Sequence, residues 1–193
     1  MHVDNWLFYT ITVPAAPTAP AAPDGYICEM WRPELLRLAP TGLPLFPFAV
    51  WWLFHMLHVF ANRDYAIFII RHAGKLVHRS VITPRYFRFP FMSAVDLQVG
   101  DTWTDPAERG KGLATLALES IIRAPSFCKR TCWYVVEPDN RASIRVVEKA
   151  GFTLVGSGNR TRRFGLGVLG EFVLIRFRDQ APGERTANHT VAL

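Results

Sequence analysis

Cysteine is scarce in this chain, and its three copies exclude two kinds of protein. Cys28, Cys128 and Cys132 form no Cys-x-x-Cys pair, so neither a metal site nor a disulfide framework is expected, and buried, reduced thiols in a cytosolic protein fit better. Acids are also few. Sixteen Asp and Glu against 22 Lys and Arg leave a net charge of +6, which suits an acidic ligand, an anionic membrane surface or nucleic acid. Apart from Arg160, Arg162 and Arg163 the bases are scattered, and no nucleic-acid partner is expected. No secretory leader is expected either, because residues 1–25 have no basic start, apolar centre and small-residue cleavage site in sequence. A cytoplasmic location is expected.

What is present is apolar: half of the 193 residues are hydrophobic and 13% are aromatic, which excludes disorder of the whole chain and suits one domain with a substantial core. Three parts are expected. Residues 1–25 form an N-terminal arm in which Trp6 to Val13 is a short strand and the Ala/Pro run at 13–23 a semi-rigid linker. Residues 26–178 form the domain, and 179–193 a disordered polar tail carrying an Asn188-His-Thr190 sequon.

Asp96 to Ala124 is the most informative stretch. Leu97, Val99, Trp103 and Thr104 are β-prone, Asp105-Pro106 breaks the strand, and apolar residues from Leu113 onward recur at the helical period. Between them lies Arg109-Gly110-Lys111-Gly112. A helix start leaves about four N–H groups unpaired and carries partial positive charge, and glycines let backbone approach a ligand, so this turn is a candidate phosphate cradle. It is neither a P-loop nor a dinucleotide fingerprint.

Arg109-x-x-Gly112-x-Ala114 resembles the pyrophosphate loop of the GNAT superfamily of acyl-CoA N-acyltransferases. A second stretch, Asn140-Arg-Ala-Ser143 followed by Lys149-Ala-Gly151-Phe152, resembles the second signature of that family, in the right order and at the usual separation. The resemblance runs from about Asp64 to Arg178. It implies an α/β GNAT fold, a mixed and mostly antiparallel central sheet splayed between its fourth and fifth strands and flanked by helices. It also implies acetyl-CoA as co-substrate, held by Thr102, Trp103 and Thr104 on the fourth strand, by the turn Arg109, Gly110, Lys111, Gly112, Leu113 and Ala114, and by Asn140 and Ser143. Backbone near Thr102 to Thr104 would pair with the pantetheine arm, and one N–H would stabilise the oxyanion.

The expected activity is N-acetyl transfer to a primary amine of a small molecule or amino sugar by direct attack through a tetrahedral intermediate. Two alternatives stay open: a long-chain N-acyltransferase using an acyl-carrier protein or acyl-CoA, and a non-catalytic acyl-CoA-binding module. Gln98 and Gly100 stand where the family often keeps a base. Candidates for that role are Asp96 through a water, Glu137 at the mouth of the gap, and His78, with Asp101 requiring a bulge to re-aim it. Many members carry a tyrosine that protonates the leaving thiolate; here Val147 holds its place, and Tyr134, Tyr86 and Cys132 are the substitutes considered.

The remaining segments are read locally. PELLRL at 33–38 is a short helix opened by Pro33. Leu43 to Ala61 is almost wholly apolar, yet it holds two prolines, His55 and His58 at the bare minimum length for a span. A helix packed on the sheet is the first reading; membrane-surface contact through 43–61, an acceptor-side wall and a homodimer stay open. His72-Ala-Gly-Lys75 is a hairpin turn between two β-runs. Thr83 to Met92 is an aromatic and arginine-rich loop, placed either on substrate or over the core. Phe152–Val155 and Glu171–Phe177 form a closing hairpin, and Gly156–Gly167 is a loop able to grip phosphate or a flexible tip.

Overall fold

The computed structural model describes residues 5–15, 18–161 and 170–177. The expected tail at 179–193 and residues 162–167 of the expected grip loop lie outside these. Among the described residues eight strands form one sheet in the order β2-β3-β4-β5-β6-β1-β7-β8. In chain order they are β1 Asn5–Thr12, β2 Tyr26–Trp31, β3 Ala66–His72, β4 Lys75–Pro84, β5 Leu97–Thr104, β6 Thr131–Val136, β7 Thr153–Arg160 and β8 Phe172–Arg176. Three helices flank it: α1 Leu45–Met56, α2 Leu113–Ile122 and α3 Arg141–Lys149. All pairings are antiparallel except β5 with β6, so the mixed, mostly antiparallel sheet is as expected.

The sheet separates two cores by strand alternation. On β3, Ala66, Phe68 and Ile70 join α2 and α3, where Leu113, Ala117, Ile121, Ile144 and Val147 are buried. Ile67 and Ile69 face an aromatic core of Phe48 from α1, Phe60, Tyr65, Tyr86, Phe89, Trp133 and Phe172. Edge-to-face and stacked rings fill it, among them Phe89 parallel to Phe172 at 5.4 Å. Burial of Phe48 alone is worth about 1.5–3 kcal/mol.

Local readings fare unevenly. The hairpin turn at 73–74 has positive φ at both positions, the mirror-image turn that suits strand twist. PELLRL is not helical; Glu34 and Arg37 close a tight turn by a bridge and an ion pair of 3.2 Å. The loop after β4 buries Tyr86, Phe89 and Met92 and receives β8 through a Phe172 N–H to Arg88 carbonyl bond, so it covers the core. Gly156 to Arg160 belongs to β7 rather than to a loop. Of the cysteines only Cys132 is buried; Cys28 and Cys128 are partly exposed, and all three are free. The N-terminal strand, expected in an arm, instead lies inside the sheet between β6 and β7.

Candidate acyl-CoA groove and acceptor cavity

The β5–β6 ladder consists of Leu97–Cys132, Gln98–Trp133 and Val99–Tyr134 only. Beyond Val99, β5 runs on to Thr104 paired with β4, while β6 runs on to Val136 paired with β1. On β4, the single residue Ser80 faces the two residues Asp101 and Thr102, because the register shifts between Arg79 and Val81. Asp101 absorbs that bulge with φ +42°.

Two cavities lie beside the bulge. The larger, about 460 Å³, is lined by Thr102–Thr104 of β5, by Arg109, Gly110 and Gly112–Thr115 at the start of α2, and by Ser143, Arg145 and Lys149 of α3. The smaller, about 270 Å³, is lined by Trp6, Gly100–Thr102, Val135–Glu137 and Asn140. Thr102, Tyr134 and Ser143 border both.

The turn before α2 is built by short-range chemistry. Asp105 accepts from Ala107 N–H at 2.9 Å and caps one helical turn over Pro106–Glu108. Arg109 Nε donates to Thr104 carbonyl at 3.3 Å, and Gly110 and Gly112 take φ of +80° and +78°, which side chains rarely adopt. No side chain caps α2 and no acid stands in its first turn, so the N–H groups of Leu113, Ala114 and Thr115 face the larger cavity without a competitor.

Beneath that turn, Glu108 accepts from Tyr26 hydroxyl at 2.6 Å and from Lys111 Nζ at 2.9 Å, and lies 3.4 Å from His72 Nδ1. The Tyr26 and Lys111 hydrogen bonds hold its carboxyl down to about 2. Lys111 is therefore committed to Glu108 and does not line the larger cavity. Arg145 and Lys149 line it instead, one turn apart on α3. Their spacing of four residues on a helix directed at the turn was the available signal.

Each expected catalytic residue has a defined place. Asp96 is buried just before β5, where its Oδ2 accepts from Trp133 indole at 3.0 Å and Ser93 N–H at 2.9 Å; it lines neither cavity. His78, on β4 opposite Thr104 of β5, is fully buried, with Nδ1 2.8 Å from Thr104 Oγ1 and Nε2 3.1 Å from Ser80 Oγ, which lies 3.1 Å from Thr102 Oγ1. Burial, with a smaller push from Arg79, lowers its imidazole to about 4, so it is neutral at pH 7. Glu137 lines the smaller cavity together with Asp101, whose carboxylate meets Arg79 Nη2 at 3.0 Å. Asn140 accepts from Ser143 N–H at 3.1 Å and caps α3, and it faces the smaller cavity rather than the larger.

Among the tyrosine substitutes, only Tyr134 lines the cavities. Tyr86 sits in the aromatic core and Cys132 under the sheet, where burial pushes each group up to about 12. Val147 is wholly buried in the helical core.

An uncapped helix start bearing two left-handed glycines thus lies next to a strand whose ladder has ended. The model of the GNAT acetyltransferase family matches residues 28–152, more than half of the chain. The chain belongs to that family, whose members use acyl-CoA as co-substrate for acyl transfer. Solved structures agree on the fold. Similar ones include a GNAT-family protein of Novosphingobium aromaticivorans (17% identity, TM-score 0.50, covering 81% of this chain and 62% of that one). Others are a GCN5-related N-acetyltransferase of Sphaerobacter thermophilus (18%, 0.51, 80% and 50%) and a Drosophila protein (12%, 0.54, 80% and 48%). The chain thus spans roughly half to under two-thirds of the length of these structures. No curated protein matches it.

Proposed function

We propose that the chain transfers an acetyl group from acetyl-CoA to a primary amine of a small molecule or amino sugar. The observation that carries this reading is the meeting of the two cavities at Thr102, Tyr134 and Ser143, beside the place where the β5–β6 ladder stops. That arrangement supports the expected opening between these strands. Backbone N–H groups of Leu113–Thr115, with Arg109, Arg145 and Lys149, receive the diphosphate and neighbouring phosphate from one side. The extended backbone of Thr102–Thr104 receives the pantetheine arm.

The amine enters the smaller cavity, where Glu137 and Asp101 supply negative charge and Trp6 an aromatic wall. An ammonium has no lone pair, so Glu137, directly or through a water, takes its proton before the nitrogen attacks the thioester carbon. Tyr134 gives a proton to the departing thiolate, the role that Val147 cannot fill. Asp96, held by Trp133 and Ser93, is a structural carboxylate in this reading, and His78 a neutral support beside β5.

Calorimetry with coenzyme A and acetyl-CoA, followed by thiol release across a panel of amines, tests the proposal. Saturable binding and release that needs both acetyl-CoA and an amine are expected. Binding without release for any amine would leave a carrier module in its place, and affinity rising with acyl length would favour the long-chain alternative.

A further inference from the structure

α1 is apolar on every side, and a helix of that kind belongs in a core or in a membrane. Only half of it has a core. Phe48 is buried and Trp51, Phe54 and Met56 are partly covered, while Phe46, Val50, Leu53 and Leu57 form a stripe at helical spacing with exposures of 82, 40, 45 and 65%. The stripe continues onto the neighbouring turn: Trp52 indole donates to Glu34 carbonyl at 2.9 Å, holding the turn beside the helix, and its tip residues Leu35 and Leu36 are 75 and 92% exposed. With 12 residues α1 is too short to cross a bilayer, and among the described residues no helix is long and apolar enough to do so.

Along the chain segment that forms this patch, basic residues outnumber acidic ones. No acid occurs between Glu34 and Asp64, and both are already paired, with Arg37 and with Arg130 and Arg32. At the C-terminal end of α1 a cavity of about 270 Å³ is lined by His58, Arg85 and Phe87. Arg63 lies against His58, and the Arg85 guanidinium has no partner among the described residues.

We propose that this face docks on an anionic lipid bilayer, with the α1 stripe and Leu35–Leu36 at the acyl boundary and a phosphate headgroup beside Arg85 and His58. Exposed aliphatic and aromatic side chains supply the apolar burial, and Arg63 and Arg85 beyond the end of α1 supply the preference for negative lipid, while the one acid of the turn, Glu34, is paired with Arg37. The face has a fixed relation to the acceptor cavity. Phe48, on the buried side of α1, stacks under the Arg79 guanidinium at 5.4 Å, and Arg79 holds Asp101 in the wall of that cavity.

Vesicle flotation with the intact chain tests this, and because no acyl donor or acceptor is added, its result is independent of whether transfer is found. Vesicles of phosphatidylcholine with about 30% phosphatidylglycerol are expected to bind about tenfold more protein than phosphatidylcholine alone. A Phe46→Asp/Leu53→Asp double variant should lose about tenfold or more of that binding while keeping its thermal unfolding temperature and coenzyme A affinity. Arg85→Glu should remove most of the anionic preference and leave the weaker neutral binding. Equal flotation by the double variant, flotation with neither vesicle, or a concentration-dependent dimer in sedimentation that the double variant abolishes would each overturn the proposal, the last by making the face a self-association surface.

Discussion

Acidification from pH 7 to pH 4.5 probes the buried chain Thr104–His78–Ser80–Thr102. His78 is lowered from an ordinary value of 6.5 to about 4, mainly by burial. At pH 7 it is neutral both folded and unfolded and adds no pH dependence. As pH falls below 6.5 the unfolded chain takes up a proton that the native site still refuses, so stability declines down to about pH 4 and then levels. At pH 4.5 the unfolded imidazole is almost fully protonated and the native one about a quarter, which amounts to a loss of about 2.5 kcal/mol. His55, lowered chiefly by burial, adds a loss of the same sign. Glu108, held at about 2, adds a small loss of the same sign at the low end of this window and most of its loss below it, and because both proteins carry it the term cancels in their comparison. Urea unfolding followed by tryptophan fluorescence at both pH values, for the native sequence and His78→Gln, isolates the effect. The variant starts less stable because glutamine cannot reproduce both hydrogen bonds, but its decline between the two pH values should be smaller by about 2.5 kcal/mol. Equal declines in the two proteins would refute the account of His78 as a buried neutral support.

Three other outcomes are expected. Arg109→Glu should weaken coenzyme A binding about 10- to 100-fold by calorimetry, since it replaces a charge-assisted contact with repulsion; unchanged affinity would count against the phosphate turn. Tyr134→Phe should slow acetyl-dependent thiol release about 100-fold in kcat with a smaller effect on KM, and an unaltered kcat would remove Tyr134 as proton donor. Gly158→Ala would place a methyl group inside contact distance of the Val173 carbonyl on β8 and close to Phe8, so thermal unfolding should show a loss of about 3 kcal/mol; an unshifted transition would mean that β8 yields freely.

The parts of the fold legible in the sequence are those made by neighbours along the chain. Gly110 and Gly112, the proline after Asp105 and the Asn140 cap act within a few residues, so the strand–turn–helix unit and the start of α3 could be read directly. The turn at Ala73-Gly74 is local in the same sense. The remainder depends on distant partners. Asp96 reads as a strand carboxylate with base chemistry, and only the position of Trp133 on β6 shows that its oxygen is committed. Lys111 reads as a phosphate ligand, but Tyr26 and Glu108 form a local acidic trap for it. The bulge that turns Asp101 toward the second cavity arises from the mismatch of β4 and β5, which no property of Asp101 announces. PELLRL has helical composition, yet the Glu34–Arg37 bridge and the Trp52 bond hold it as a turn.

The place of β1 has a consequence for how the molecule is made. Both of its partners, β6 and β7, leave the ribosome only after another hundred residues and more. Until then Trp6 to Ile11 has neither of its sheet neighbours. Pairing over such sequence separation is slow. The sheet therefore closes around a strand made long before its partners, and the cavity edged by Trp6 comes into being only at that closing step.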